Sequence, residues 1–271
     1  MKQYHQLTTK EYQWICNQLH ITPLSDKKAT TLLDQKLIKH KVQQAQKRLF
    51  SLLHGKTAFI FGAGPSLEEA IFKLQEMKEQ EPFQNNANII IIAVDGAAQA
   101  FLNEGIVPQI IVTDLDGSLN AIIKSHERGT LLLVHAHGDN IPKIAEVTPL
   151  LAQEGIIGTT QIEETDNVRN FGGFTDGDRA AYVAANMGAR RIVLFAFDFG
   201  EKIGQYSKPE EYQRDVPMTE RKRIKLEIAK RLLAELPEKF PETDLYNCTP
   251  KGEEIPNIPT IDYKELRELS S

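Results

Sequence analysis

The sequence predicts an α/β fold, a doubly wound and mainly parallel sheet preceded by an N-terminal helical extension. Three observations predict it. Short apolar runs recur from Lys56 onward, at residues 57–61, 88–94, 109–113, 130–134, 155–157 and 191–197. Runs this uniformly apolar suit strands buried on both faces, whereas half-solvated strands alternate. Segments with helical spacing lie between the runs, at 67–79, 97–104, 141–153 and 179–187, where crossover helices of a parallel sheet belong. Finally, each run is followed by glycine, an acid or histidine. Ligands of such sheets bind outside the carboxyl ends of the strands, so those ends are the candidate site.

The 271 residues suffice for one large domain with appendages, and the expected division is a helical extension at 1–54 and an α/β catalytic domain with C-terminal helix and tail at 55–271. Hydrophobic residues make up 41%, charged residues 25%, and the net charge is -5, a balance without the basic footprint of a nucleic-acid binder. Cys16 and Cys248 stand far apart, with neither zinc spacing nor a disulfide framework, so a cytoplasmic protein is expected. Lys2, Lys10 and Glu11 interrupt the N-terminus where a leader would be apolar, and no run reaches membrane-spanning length. Homo-oligomerisation is left open by composition.

In the extension, Trp14, Ile15 and Leu19 recur at helical spacing, and Leu33, Leu37, Ile38, Val42, Leu49, Leu52 and Leu53 follow after Pro23. Ser25 with Asp26 suits a helix cap there. The first strand end is Phe61-Gly62-Ala63-Gly64-Pro65-Ser66-Leu67, where Gly62 and Gly64 allow close approach and Ser66 suits a cap whose exposed amides fit a phosphate. Leu67 replaces the third glycine of a dinucleotide fingerprint, and no Walker lysine follows. At the second end, Asp95 either caps the next helix or adds a carboxylate beside the third end, if those strands are neighbours.

That third end is Gln109-Ile-Ile-Val-Thr-Asp114-Leu-Asp116-Gly117. Strand alternation sends Asp114 and Asp116 to one face, and two like charges so close suit an oxygen-preferring cation such as Mg²⁺. The plain alternative is a solvated acidic turn. Next, His135-Ala-His137-Gly-Asp139-Asn140 offers two histidines on one face, as transition-metal ligands or as hydrogen-bonding partners for phosphate. In Gly172-Gly173-Phe174-Thr175-Asp176-Gly177-Asp178-Arg179, paired glycines, acids and an arginine open a helix, either as a cap or as part of a metal-triphosphate site. Asp198 ends the 191–197 run, followed by Lys202 and Lys208 in a glycine-containing loop that could meet phosphates. The tail predicts an amphipathic helix over 219–236, with Arg221-Lys222-Arg223 as solvated surface, then a short strand at 245–248.

The order Val94-Asp95-Gly96-Ala97, Val112-Thr-Asp-Leu-Asp-Gly117 and Thr175-Asp176-Gly177-Asp178 resembles thiamin pyrophosphokinases, from whose pattern Thr113 and Gly117 depart. A closer resemblance is to the archaeal 6-hydroxymethyl-7,8-dihydropterin pyrophosphokinases. It is carried by Gly62-Ala-Gly-Pro-Ser-Leu67, Val112-Thr-Asp-Leu-Asp-Gly117, His135-Ala-His-Gly-Asp-Asn140, Phe171-Gly-Gly-Phe-Thr-Asp-Gly-Asp-Arg179 and Phe197-Asp-Phe-Gly200. The resemblance implies transfer of a pyrophosphoryl group from ATP to the pterin hydroxymethyl oxygen, releasing AMP, in methanopterin or folate synthesis. It implies Asp114 and Asp116 as Mg²⁺ ligands, Asp95, Asp139, Asp176 and Asp178 as further acids, and Arg179, His135 and His137 on phosphate oxygens. Gly62, Gly64, Pro65 and Ser66, with Gly172, Gly173, Thr175 and Lys202, would line the substrate pocket. Two other readings compete: a metal-dependent glycosyltransferase-like protein holding a nucleotide sugar through Asp114-Leu-Asp116, and a non-catalytic nucleotide-sensing module.

Overall fold

The computed structural model describes residues 4–270 apart from 80–82, 84–86 and 152. Among the described residues the strands are β1 (Thr57–Phe61), β2 (Ile89–Val94), β3 (Ile110–Thr113), β4 (Leu131–His135), β5 (Ile156–Thr159), β6 (Val168–Arg169), β7 (Arg191–Phe195), β8 (Lys202–Ile203), β9 (Val216–Pro217) and β10 (Asp244–Asn247). Eight form one sheet in the order β10-β7-β1-β2-β3-β4-β5-β6, every pairing parallel, while β8 and β9 form a separate antiparallel pair. The chain steps outward from β1 to β6 and then returns to lay β7 on the other side of β1. The direction therefore reverses between β1 and β7, the place where a doubly wound sheet opens a crevice.

Helices cover both faces: α1 (Thr9–Leu19), α2 (Pro23–Lys36), α3 (Lys39–Leu53), α4 (Leu67–Lys78), α5 (Ala97–Asn103), α6 (Leu119–Glu127), α7 (Ile141–Val147), α8 (Asp176–Asn186), α9 (Glu220–Ala234), α10 (Leu236–Lys239) and α11 (Tyr263–Ser270). Strand alternation divides the apolar residues between two cores. Ala58, Ile60, Ile92, Val112, Leu133 and Leu194 join α1, α3, α8 and α9 in one core. Phe59, Phe61, Ile91, Ile111, Leu132 and Phe195 join α2, α4, α5 and α6 in the other. Residues of the N-terminal helices enter both cores, with Ile15, Leu19, Leu49 and Leu53 on one side and Ala29, Leu33, Leu37 and Val42 on the other.

The structure departs from expectation at several edges. Trp14 and Ile38, placed by spacing among the apolar positions, are 38% and 43% exposed. Trp14 instead lies under the Arg231 guanidinium, 4.5 Å from its ring centroid, a cation-π contact. The helix expected over 141–153 stops at Val147 and gives way to a 3-10 turn over Thr148–Leu150, because Pro149 cannot donate within an α-helix. Strand β7 ends at Phe195, since Ala196 turns left-handed at φ 56°. Lys2 and Ala152, which entered the expectations for the N-terminus and for that helix, lie outside the described residues.

Candidate active site

A cavity of about 390 Å³ opens at the carboxyl end of the sheet, lined from the turns after β1, β2, β3, β4 and β7 and from the first turns of α8 and α9. At its floor Asp95, Asp114 and Asp176 each bring one carboxylate oxygen within 4.8 Å of the others. The sheet explains the first two: β2 and β3 are neighbours in register, with Val94 opposite Val112, so their following residues meet. Asp95 sits at φ 45°, a left-handed conformation that aspartate tolerates better than most residues. Its Oδ1 accepts from the Thr113 hydroxyl at 2.6 Å and the Gly117 amide at 3.0 Å.

Asp114 and Asp116 do not share a face as strand alternation predicts. Strand β3 stops at Thr113, and Leu115, its side chain wholly buried, takes φ 68° with its amide donating to Thr113 Oγ1 at 2.8 Å. One left-handed residue is enough to end the two-residue period. The Asp114 amide then donates to Asp176 Oδ2 at 3.2 Å, while Asp114 Oδ2 lies 3.3 Å from His137 Nε2. Asp116 lines the same cavity but turns its carboxylate to Lys143 at 2.6 Å. The third member of the cluster comes from α8, a distant segment returned to the site by the crossover between β6 and β7.

His135 and His137 stack at 5.8 Å between centroids, but their nitrogens have protein partners. His135 Nδ1 lies 3.1 Å from Thr159 Oγ1 and its Nε2 accepts from Arg179 at 3.0 Å. His137 Nδ1 accepts from the Asp139 amide at 3.3 Å while its Nε2 faces Asp114. That leaves no imidazole pair for a transition metal. Arg179, 1% exposed, also donates to Asp176 Oδ1 at 2.9 Å and to the Phe174 carbonyl at 2.8 Å, so it orients a cluster acid from within the protein. Asn140 ties the same loops together, donating to the carbonyls of Asp114 and His135 at 2.8 and 2.7 Å. Asp139 is exposed, 3.9 Å from Arg221.

The glycine-rich turns serve close packing of the chain on itself. A Cβ on Gly62 would stand 2.7 Å from the Ala196 carbonyl oxygen, and one on Gly64 only 2.0 Å from Asp198 Oδ2. Ser66 does not cap α4 as expected; its hydroxyl and amide donate to Asp198 Oδ2 at 3.0 and 3.3 Å. Gly172 and Gly173 turn at φ 85° and 75°, and a Cβ on Gly173 would stand 2.5 Å from the Arg179 backbone. The amides that follow are already used: those of Phe174 and Thr175 donate to the buried Asp178 carboxylate at 2.6 and 2.8 Å, capping α8. Gly62, Gly64, Pro65, Thr175, Asp176, Asp198, Lys202 and Lys208 all line the cavity.

Crowding of like charge sets the electrostatics. Burial, with Asp114 and Asp176 alongside, pushes Asp95 well above the usual carboxylate range. Burial and Asp114 likewise push Asp176 up to about 7, against the opposing Arg179 charge. For Asp114 burial acts upward too, but the His137 hydrogen bond and charge, the Asp116 amide and Lys225 hold it down to about 2. Burial and the Arg179 charge keep His135 neutral, consistent with the hydrogen bond it accepts from Arg179. Three acids that do not all ionise readily, with oxygens converging on one point, are a donor set suited to a hard cation such as Mg²⁺.

Several contributors carried no signal in the sequence. Asp26 was expected at a helix start; it is 1% exposed and lies against the cavity. Its Oδ1 accepts from the Gly138 amide at 2.7 Å, and its Oδ2 from the Tyr12 hydroxyl and Gln161 Nε2, both at 2.6 Å. Helices α1 and α2 are thereby fastened to the loop that carries His137. Asp26→Asn should lose about 3 kcal/mol of stability, since charge-assisted bonds become neutral ones and an amide donor faces other donors. Thermal unfolding should show a midpoint lowered by roughly 6–12 °C. The basic start of α9 is likewise not solvated throughout: Arg223 pairs outward with Glu201 at 2.8 and 3.0 Å, but Arg221 and Lys222, with Lys225, line the cavity.

A family model described as 6-hydroxymethylpterin diphosphokinase MptE-like matches residues 34–204. The 6-hydroxymethyl-7,8-dihydropterin pyrophosphokinase of Methanothermobacter thermautotrophicus is 45% identical over 174 residues, 64% of this chain and 71% of that protein. Proteins of the same name are 43% identical in Methanocaldococcus jannaschii, over 71% of this chain and 79% of theirs, and 40% identical in Pyrococcus furiosus, over 82% and 89%. Among solved structures, the MAf glycosyltransferase of Magnetospirillum magneticum superimposes with a TM-score of 0.53 at 15% identity, over 85% of this chain and 39% of that one. At that identity the likeness is one of fold.

Proposed function

Because this chain belongs to the MptE-like 6-hydroxymethylpterin diphosphokinase family, we propose that it transfers a pyrophosphoryl group from ATP to the hydroxymethyl oxygen of 6-hydroxymethyl-7,8-dihydropterin and releases AMP. The observation that carries the reading within the molecule is the Asp95, Asp114 and Asp176 cluster in a cavity that lysines also line. Attack on the β-phosphorus of ATP demands positioning and charge neutralisation more than covalent help from the protein. Asp95, Asp114 and Asp176 are the residues that would hold Mg²⁺, and their all-oxygen donor set supports that choice. Bound there, the cation would screen the triphosphate charge and orient its oxygens.

The protein's own groups have definable tasks. Arg179 and His135 hold Asp176 in position; His137 holds Asp114, and Asp26 holds the His137 loop. Phe174, Phe197 and Phe199 supply apolar walls on which a flat heterocycle could lie. Among the described residues no helix is long and apolar enough to cross a membrane, and both cysteines are free and buried, which supports a cytoplasmic setting. Incubation with ATP, Mg²⁺ and the pterin tests the reading: AMP should form only when the pterin is present. Pterin-independent hydrolysis alone, or no turnover, would sink it.

A further inference from the structure

Lys222 and Lys225 lie three residues apart on α9, so they share a helix face, and both line the cavity that holds the carboxylate cluster. Helix α9 lies beyond residues 34–204, the span matched by the family model, and comes from the part of the chain after the β8–β9 pair. Apart from Lys202, which also lines the cavity without a salt bridge among the described residues, the other cations around the mouth have acidic partners. Lys143 is paired with Asp116, Lys208 with Glu211, Arg223 with Glu201 and Arg179 with Asp176. Neither Lys222 nor Lys225 enters a salt bridge among the described residues, and Lys222 Nζ donates to a neutral partner, Ser207 Oγ, at 3.2 Å.

Two ammonium groups on one face of a helix repel each other, as do the three carboxylates of the cluster. The two sets feel each other's charge: Lys225 helps hold Asp114 ionised, and the fields of Asp95, Asp114 and Asp176 reach Lys222. Yet no salt bridge joins either lysine to Asp95, Asp114 or Asp176 among the described residues, although all five line the same cavity. A ligand with a cation on one side and several anionic oxygens on the other resolves both repulsions at once. A magnesium-bound polyphosphate has that pattern, and an ammonium group is a compact point charge suited to phosphate oxygens.

We propose that Lys222 and Lys225 bind the β- and γ-phosphates of ATP in the cavity they share with the carboxylate cluster, making α9 part of the nucleotide site. The assignment rests on the diphosphokinase reading above. It gives the two lysines the group that is transferred, while the adenosine and α-phosphate of the departing AMP bind elsewhere in the cavity. Ser207, through its bond to Lys222, links that helix to the 204–208 loop, which itself packs on Gly64 and Gly96: a Cβ on Gly96 would stand 1.8 Å from the Tyr206 carbonyl oxygen.

Calorimetric titration with α,β-methylene-ATP, which cannot undergo the transfer, tests the proposal in the presence of Mg²⁺ and beside AMP as control. Lys222→Gln and Lys225→Gln should each weaken binding of the ATP analogue about tenfold or more, the scale of a lost charge-assisted hydrogen bond, and change AMP binding less than about threefold. Lys225→Arg should recover most of the loss. Glutamine at 222 can still donate to Ser207, and unchanged thermal midpoints would show that the fold is kept. Wild-type binding with unaltered variants, or equal losses for AMP and the analogue, would overturn the lysine assignment alone. If the wild type binds neither nucleotide, the diphosphokinase reading fails and this assignment with it.

Discussion

Asp95→Asn should lower pterin-dependent AMP release by about a thousandfold or more, the scale expected when a cation site for phosphoryl transfer is lost, while the metal-free protein melts no lower than the wild type. The reasoning is local. Asparagine tolerates the left-handed φ of 45° and can still accept, through its own Oδ1, from Thr113 and Gly117. It removes the carboxylate whose ionisation the fold resists most, because burial and two neighbouring acids oppose it. For an acid whose folded pKa is raised, stability is fully present below the unfolded value and declines as pH rises toward the folded one. Replacement by a neutral side chain should therefore raise the midpoint at pH 8 in the absence of divalent cations. Asp116→Asn is the contrast: it loses one half-exposed ion pair with Lys143, and turnover should change less than about tenfold. Collapse of Asp116→Asn with activity kept in Asp95→Asn would return the metal to Asp114 and Asp116.

Removal of divalent cations should abolish turnover, and the apparent affinity for Mg²⁺ should depend on pH in a defined direction. Asp176 lies at about 7, against about 4 for an unperturbed carboxyl. Below pH 7 the cation must displace the protons of both Asp176 and Asp95, so log affinity should rise with a slope approaching about 2 per pH unit from about pH 5 to 7 and less steeply above, where Asp95 alone still holds a proton. Without the cation Asp176 makes stability fall over that window, because the folded state retains a proton that the unfolded chain has released. Added Mg²⁺ should accordingly raise the thermal midpoint more at pH 8 than at pH 5. A pH-independent affinity would show that the metal displaces no proton from Asp95 or Asp176 and would contradict the ligand set.

Much of the fold was legible because strand burial leaves a strong trace. Runs such as Ile89–Val94, apolar at every position, have no solvated alternative, and the sheet is parallel throughout as they imply. The strand ends were legible for the same reason, since Asp95, Asp114, His135 and Asp198 stand where apolar runs stop. What alternation could not supply was the direction of side chains past a strand's last residue. Leu115 at φ 68° turns Asp116 to Lys143, and nothing in a leucine announces a left-handed conformation. Residues reaching the cavity from helices were hidden differently. Asp26, Lys222 and Lys225 look like ordinary polar positions on amphipathic helices, and only the packing of α2 and α9 over the mouth turns them inward. The Gly172-Gly173 pair read as an anion cradle, yet the amides after it are used by Asp178, three residues into its own helix.

The most direct test is a ³¹P spectrum of the reaction run with ATP, Mg²⁺ and 6-hydroxymethyl-7,8-dihydropterin, wild type beside Asp114→Asn. Wild type should give AMP and the two coupled resonances of a diphosphate ester in equal amounts, and the variant neither. ADP with a monophosphate ester, or a variant that turns over like the wild type, would contradict pyrophosphoryl transfer at this cluster.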